Sequence, residues 1–217
     1  MEPEGFIKTA FITLWQEVIK ILGLIGSRLD KRSIEGEARK HRIPVIHIRD
    51  ANSSEAIGKL YQLSPDVIIN QSELILKGHI LIIPKIGIIN RHGSLLPNFR
   101  GRLASFWSHA HEPPEYCITI HFVNKNIDSG PIISQKRLEI DPRLSYFEVL
   151  DILFKESPHL ILEALEKINS PDFSSLPNNY EGTSMYFFPT LQEVKRYREL
   201  MKKRRLSKGG EKSQRDY

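Results

Sequence analysis

Lys85-Ile86-Gly87-Ile88-Ile89-Asn90-Arg91-His92-Gly93-Ser94-Leu95-Leu96-Pro97 is the stretch on which the reading of this 217-residue chain turns. Its apolar run, Ile86-Gly87-Ile88-Ile89, has the pattern of a strand buried on both faces, the kind found in parallel sheets covered by helices. The strand is expected to end at Asn90. Asn90 and His92 then occupy alternate positions and face the same side. Ligands of open parallel sheets bind beyond the carboxyl ends of strands, so this pair stands where a ligand would enter. Taken alone, an Asn-x-His also reads as a turn former followed by a satisfied loop histidine.

Working outward, helix-like and strand-like segments alternate on the N-terminal side. Ile7 to Ile19 has helical spacing, and Ile21 to Ile25 is a short apolar strand. Ser33 to His41 reads as a helix, Val45 to Ile48 as a strand and Ser54 to Leu63 as a helix; Pro65-Asp66 then introduces the strand Val67 to Asn70. Downstream, Cys117 to Val123 and Pro131 to Ile140 are strands separated by the seven residues Asn124 to Gly130. That gap is too short for a helical crossover, so the two are expected as antiparallel neighbours. Ser145-x-x-Glu148 and Thr190-x-x-Glu193 are capping boxes, each opening a helix. Pro158 should kink the first of these helices or restart it behind Ser157. In the second, Leu191, Val194, Tyr197 and Met201 share a face, which docks while Lys202 to Arg205 project away. The fold class is α/β: a mostly parallel sheet with an antiparallel hairpin and helices on both faces. Residues 1–190 form the catalytic domain of this reading, and 191–217 a basic helical tail.

Composition narrows the classes of function. At 40% hydrophobic and 26% charged residues, the chain can bury a proper core and is not disordered. Its net charge of +5 comes from the tail: Lys195 to Arg215 holds ten basic and two acidic residues, a local +8 that leaves −3 for the rest. The tail therefore points to weak polyanion attraction, not to a nucleic-acid-binding body. The longest apolar candidate, Phe11 to Gly26, is interrupted by Gln16, Glu17 and Lys20, so no membrane span is expected. An acidic start, Met1 to Gly5, lacks the basic region of a signal peptide. The single cysteine, Cys117, reads as a buried thiol, and a cytoplasmic compartment follows. His109 and His111, two apart beside Pro113-Pro114, do not match a helical metal pair, and no metal site is expected. There is no G-x-G-x-x-G, Walker loop or G-x-S-x-G.

Three separated motifs carry a resemblance: Asn90-x-His92-x-Ser94-Leu95-Leu96-Pro97, then Arg100-Gly101, then Asp128-Ser129-Gly130-Pro131-Ile132, with His92 and Asp128 36 positions apart. Ile120-His121-Phe122 and Ser64-Pro65-Asp66-Val67-Ile68-Ile69 support it. In these features the chain, from about Ile21 to Ile140, resembles the folate-dependent formyltransferases, the family of methionyl-tRNA, glycinamide ribonucleotide and sugar N-formyltransferases. The resemblance implies a Rossmann-like fold and transfer of the formyl group of 10-formyltetrahydrofolate to a primary amine, preferably an amino sugar nucleotide or other small amine. A tRNA-type or glycinamide-ribonucleotide-type acceptor, or a catalytically silent folate-binding relative, are the alternatives.

It also implies roles. Asn90 donates a neutral hydrogen bond to the developing oxyanion, and His92, when protonated, donates a charge-assisted one. Asp128 favours the charged imidazole and accepts a proton from the attacking ammonium, directly or through water. Leu74, Ile75, Leu76, Ile88, Ile89, His121, Ser129 and Gly130 are expected to line the folate site, Gly130 by letting the loop turn tightly. Ser94, Arg100 and Gly101 are expected on the acceptor side; Ser94 serves equally as a turn serine, and Arg100 as a surface arginine. The family opens with an apolar strand and a Gly-rich turn. Here helical spacing begins within about six residues of Met1, so that strand is expected to be missing, with Gly5 its one remnant. Arg91 stands where the family usually has an apolar residue. The tRNA enzymes carry a further C-terminal barrel for which the chain has no room, which favours a small acceptor.

Overall fold

A computed structural model of the chain describes residues 34–72 and 74–207. The expected helix at Ile7 to Ile19, the strand at Ile21 to Ile25, the opening strand and Gly5 lie outside them. Two compact units divide at Arg49 and Asp50. Within the first, helix α1 (Ile34–Lys40) carries Glu35 and Glu37 in its first turn and Arg39 and Lys40 in its last, an order that suits the helix dipole. Val45 to Ile48, expected as a strand, pairs with none. A strand exists only where a neighbour completes its ladder, and no described residue does so here.

The second unit holds the sheet. Ser53 caps helix α2 (Ser54–Leu63) by accepting from the Ala56 N–H, and Ser64 in the left-handed region ends it before Pro65. Strand β1 (Val67–Asn70) runs parallel to β2 (Gly87–His92), with Asn70 beside Asn90. β3 (Arg100–Gly101) leaves the sheet and pairs with β6 (Met185–Tyr186). Helix α3 (Ala104–Ala110) leads to β4 (Cys117–Phe122), which turns back antiparallel to β2; β5 (Ile132–Arg137) is antiparallel to β4. The spatial order is β1-β2-β4-β5, and three of the four strands run the same way. β2 extends two residues past the expected end, so Asn90 and His92 are its own last positions. β5 opens at Ile132 because Pro131 has no N–H; it contributes only its carbonyl, to the Phe122 N–H.

Alternation along β2 builds both faces. Ile89 joins Ile118, Ile120 and Ile133 under helix α4 (Tyr146–Ile168), against Val149, Leu153 and Leu160. Ile88 faces the other way, into Leu76, Ile80 and Ile83 with Ile57 and Leu60 of α2. Burial of each such side chain contributes about 1.5–3 kcal/mol, which holds β2 and β4 in register between their two covers. The Ser145 capping box opens α4. Pro158 does not break this helix: it runs unbroken for 23 residues, and the Ser157 hydroxyl donates back to the Leu153 carbonyl in the turn before the proline.

Helix α5 (Leu191–Leu206), capped by Thr190, departs from expectation at Arg204. This residue is buried, its guanidinium donating to the His109 and His111 carbonyls at the end of α3. Those carbonyls lack helical partners, and a guanidinium satisfies two at once. Lys202, Lys203 and Arg205 do stay exposed. Among the described residues no helix is long and apolar enough to cross a membrane.

Candidate active site

At the end of β2 the side chains of Asn90 and His92 rise on the face opposite α4, across from His121 and Thr119 of β4. His92 is buried, and its Nε2–H donates to the Phe99 carbonyl at 2.6 Å. A carbonyl only accepts, so the proton on this ring sits at Nε2. The Ser94 hydroxyl donates to the same carbonyl at 3.0 Å, and Thr119 donates to the Ser94 carbonyl at 2.8 Å. Both bonds fix the turn after His92; Ser94 is wholly buried and acts as a turn serine. The free Nδ1 of His92 lies 3.7 Å from Oδ2 of Asp128.

His121 completes the group. Its Nδ1–H donates to its neighbour's carbonyl, Phe122 O, at 2.8 Å, leaving Nε2 to accept from the Asn90 amide at 3.3 Å. Burial, reinforced by nearby His92 and opposed by Asp128, pushes its pKa down to about 4. A neutral His121 therefore orients Asn90 with its NH₂ inward, and Nε2 lies 3.8 Å from Oδ1 of Asp128. One amide, two imidazoles and one carboxylate converge.

The Asp128 loop is built by residues far apart in sequence. Asp128 takes the left-handed region, φ 47°, and its Oδ2 accepts from the Gly101 N–H at 2.8 Å. Arg100, expected on the acceptor side, is buried; it donates through Nε and Nη2 to the Ile127 carbonyl and lies 4.5 Å over the Tyr180 ring. Its contacts brace the loop. Asn178 donates from Nδ2 to the carbonyls of Asp128 (3.1 Å) and Gly130 (3.0 Å). Ser129 donates to Asn124 within the loop. Gly130 is required by close approach, not by a tight turn: a Cβ there would lie 1.8 Å from the Phe122 carbonyl oxygen. Asn178 and Tyr180 escape sequence reasoning because they sit in irregular backbone, brought alongside β5 by the Ile132–Leu176 bridge.

The expected folate-lining residues divide. Leu74 and Ile75 are 52% and 46% exposed, and Asn52 holds their segment by donating to the Ile75 carbonyl and accepting from the Lys77 N–H. Leu76 and Ile88 are core, and Ile89 points into the α4 face, away from Asn90, as strand alternation requires. Elsewhere, His109 is buried, hydrogen-bonded through Nδ1 to the Tyr116 hydroxyl, and pushed down to about 4 by burial and by Arg204. Cys117 is buried, which pushes its thiol up. No group of three or more His, Cys, Asp or Glu able to hold a metal occurs among the described residues. A surface concavity of about 480 Å³, lined by Pro114, Tyr116 and Leu138 to Pro142, lies at the opposite end of β4 and β5 and contains none of the site residues.

An open α/β sheet with an Asn, His and Asp cluster at the carboxyl end of an inner strand is the class defined by this geometry. The chain belongs to the formyl transferase family, whose model matches residues 27–165. It is 32% identical over 146 residues to the methionyl-tRNA formyltransferase of Thermotoga maritima, covering 67% of this chain and 47% of that protein. The bifunctional polymyxin resistance protein ArnA of Wigglesworthia glossinidia brevipalpis is 34% identical over 182 residues, covering 77% of this chain and 28% of its own length. The chain thus spans less than half of these two relatives. The formyltransferase PseJ from Anoxybacillus kamchatkensis, solved with UDP-4,6-dideoxy-4-formamido-L-AltNAc and tetrahydrofolate, shares the fold with a TM-score of 0.57 at 21% identity, over 75% of this chain and 82% of that one.

Proposed function

We propose that this chain transfers the formyl group of 10-formyltetrahydrofolate to the primary amine of a small acceptor, with an amino sugar nucleotide the preferred class. The observation that carries the reading is the Asp128 carboxylate standing within 4 Å of both His92 Nδ1 and His121 Nε2, beside an amide held NH₂-inward. The amine nitrogen attacks the formyl carbon, the bond from that carbon to folate N10 breaks, and one proton passes from amine to N10. Asn90 donates to the oxyanion through the amide hydrogen that His121 does not take. His92 acts through Nδ1, because Nε2–H is held by Phe99; in its charged form it adds the stronger donor. Asp128 takes the proton from the attacking ammonium and stabilises the charged imidazole.

Exposed Leu74 and Ile75, on a segment clamped by Asn52, offer the flat apolar contact a pterin needs. The family supports the chemistry, and the formamido sugar in the Anoxybacillus complex supports the acceptor class. The test is release of tetrahydrofolate from 10-formyltetrahydrofolate on a panel of amines. His92→Ala and Asp128→Asn should each lower turnover on the order of 10²–10³-fold, the scale of losing an oxyanion donor or proton acceptor. Folate binding without turnover on any amine, or full activity in Asp128→Asn, would refute the proposal.

A further inference from the structure

His92 and Asp128 are both held by one short stretch of backbone. The Phe99 carbonyl accepts from Nε2 of His92 at 2.6 Å and from the Ser94 hydroxyl at 3.0 Å. Two residues on, the Gly101 N–H donates to Oδ2 of Asp128 at 2.8 Å. Two residues of chain reach at most about 7 Å. A tilt or shift of residues 99–101 therefore passes directly into the 3.7 Å between His92 Nδ1 and Asp128 Oδ2. Whatever fixes this stretch fixes the alignment of the site.

Arg100 supplies one tie, through the Ile127 carbonyl. Tyr186 supplies another and grips both ends of the stretch. At one end, β6 pairs with β3 so that Tyr186 stands opposite Gly101, and its carbonyl accepts from the Arg102 N–H at 2.9 Å. The approach is close: a Cβ on Gly101, which has φ 98°, would lie 2.2 Å from that carbonyl oxygen. At the other end, the Tyr186 ring stacks on the ring of Phe99, with centroids 5.8 Å and planes 25° apart. Phe99 is buried with Leu95, Ala104 and Cys117, and Tyr186 packs against that cluster. Tyr186 is itself held. Its ring stacks on Trp107 of α3 at 5.1 Å, and the Trp107 indole N–H donates to the next carbonyl, that of Phe187, at 2.8 Å. The core under α4 contains none of these residues, so the sheet can form with this contact loosened.

We infer that Tyr186 is a positioning residue for the reaction: by stacking on Phe99 and pairing with Gly101 and Arg102, it sets how Nδ1 of His92 faces Asp128. It acts through those residues and not on the reacting atoms. The ring and the backbone make these contacts, not the hydroxyl. Its effect on turnover rests on the formyl-transfer reading; its hold on His92 and Asp128 does not. Tyr186 comes from outside the matched family region.

Two readouts in the full chain test it, with Tyr186→Leu removing the flat ring and Tyr186→Phe keeping it. The first is nuclear magnetic resonance of the His92 ring. Its Nε2–H proton should be protected from solvent exchange in the natural chain and in Tyr186→Phe, and should exchange about tenfold faster or more in Tyr186→Leu. The second is release of tetrahydrofolate with an amine acceptor. In Tyr186→Leu kcat should fall about tenfold or more with KM for both substrates within about threefold, while Tyr186→Phe should stay within about twofold of the natural chain. Leu160→Ala, cut into the core under α4, is the stability control: it should lower Tm at least as much, yet leave His92 exchange and kcat within about twofold. Trp107→Phe keeps a ring but drops the bond to Phe187; it should shift both readouts about threefold in the same direction, and it carries the test if Tyr186→Leu does not fold. Unchanged His92 exchange and kcat in folded Tyr186→Leu, or in Trp107→Phe in its place, overturn the assignment, as do equal losses in Leu160→Ala. If exchange quickens as stated and no amine is formylated by any of the proteins, Tyr186 keeps its role and the formyl-transfer reading falls. If the natural chain turns over and Tyr186→Leu does so equally, the role falls and that reading stands.

Discussion

Replacing Asn178 is the sharpest way to test how the Asp128 loop is held. Asn178 is nine-tenths buried, and its two amide hydrogens go to the carbonyls of Asp128 and Gly130, while its Oδ1 has no partner among the described residues. Asn178→Ala removes two hydrogen bonds worth about 1 kcal/mol each net and strands two carbonyls, so the loss should be about 2–4 kcal/mol. At about 2–4 °C per kcal/mol for a unit of this size, Tm should fall by roughly 4–16 °C. Asn178→Asp keeps the shape but aims a carboxylate at two carbonyl oxygens, which favours the protonated acid. Its folded pKa is then raised above the unfolded value of about 3.9, so whatever the acid form contributes is lost as pH rises through the folded pKa. Relative to the natural chain, the aspartate variant should therefore be closer in stability at pH 5 than at pH 8, whereas the alanine variant should show a constant deficit. Urea midpoints at both pH values measure this. Turnover should fall along with stability in both variants, at least tenfold at pH 8, because a small displacement of Asp128 spoils alignment. A loss under about 0.5 kcal/mol in Asn178→Ala, or pH-independent behaviour in Asn178→Asp, would show that the loop is held by something else.

Gly130→Ala should destabilise the chain by about 3 kcal/mol or more, since the new methyl would sit 1.8 Å from the Phe122 carbonyl oxygen and backbone must move; a thermal melt within 2 °C of the natural chain would contradict the packing described. Acid should also weaken the fold through His109 and His121, both pushed from 6.5 down to about 4. These bases must stay neutral when folded, so their contribution is complete above pH 6.5 and is lost as pH falls toward 4. Urea midpoints unchanged from pH 7 to pH 4.5 would rule that out.

Much of the fold was legible because it depends on neighbours in the chain. The apolar run before Asn90 predicts a covered strand, the seven-residue gap after Val123 predicts an antiparallel return, and the Ser145 and Thr190 boxes predict two helix starts. Each of these was met, with ends shifted by a few residues. Val45 to Ile48 pairs with none of the described residues: an apolar run specifies extended backbone, not the partner that would make it a strand.

Sequence by itself determined which residues alternate on β2 and that Asn90 and His92 share a face, because side-chain period is a local property of the backbone. It also carried the motif spacing that marks the family. Tertiary structure alone decided that Arg100 braces the Asp128 loop, that His121 is neutral and orients Asn90, and that Asn178 arrives from 50 residues beyond Asp128 to hold it. Burial and long-range hydrogen bonding depend on which segments the folded path brings together, and no local pattern encodes that path.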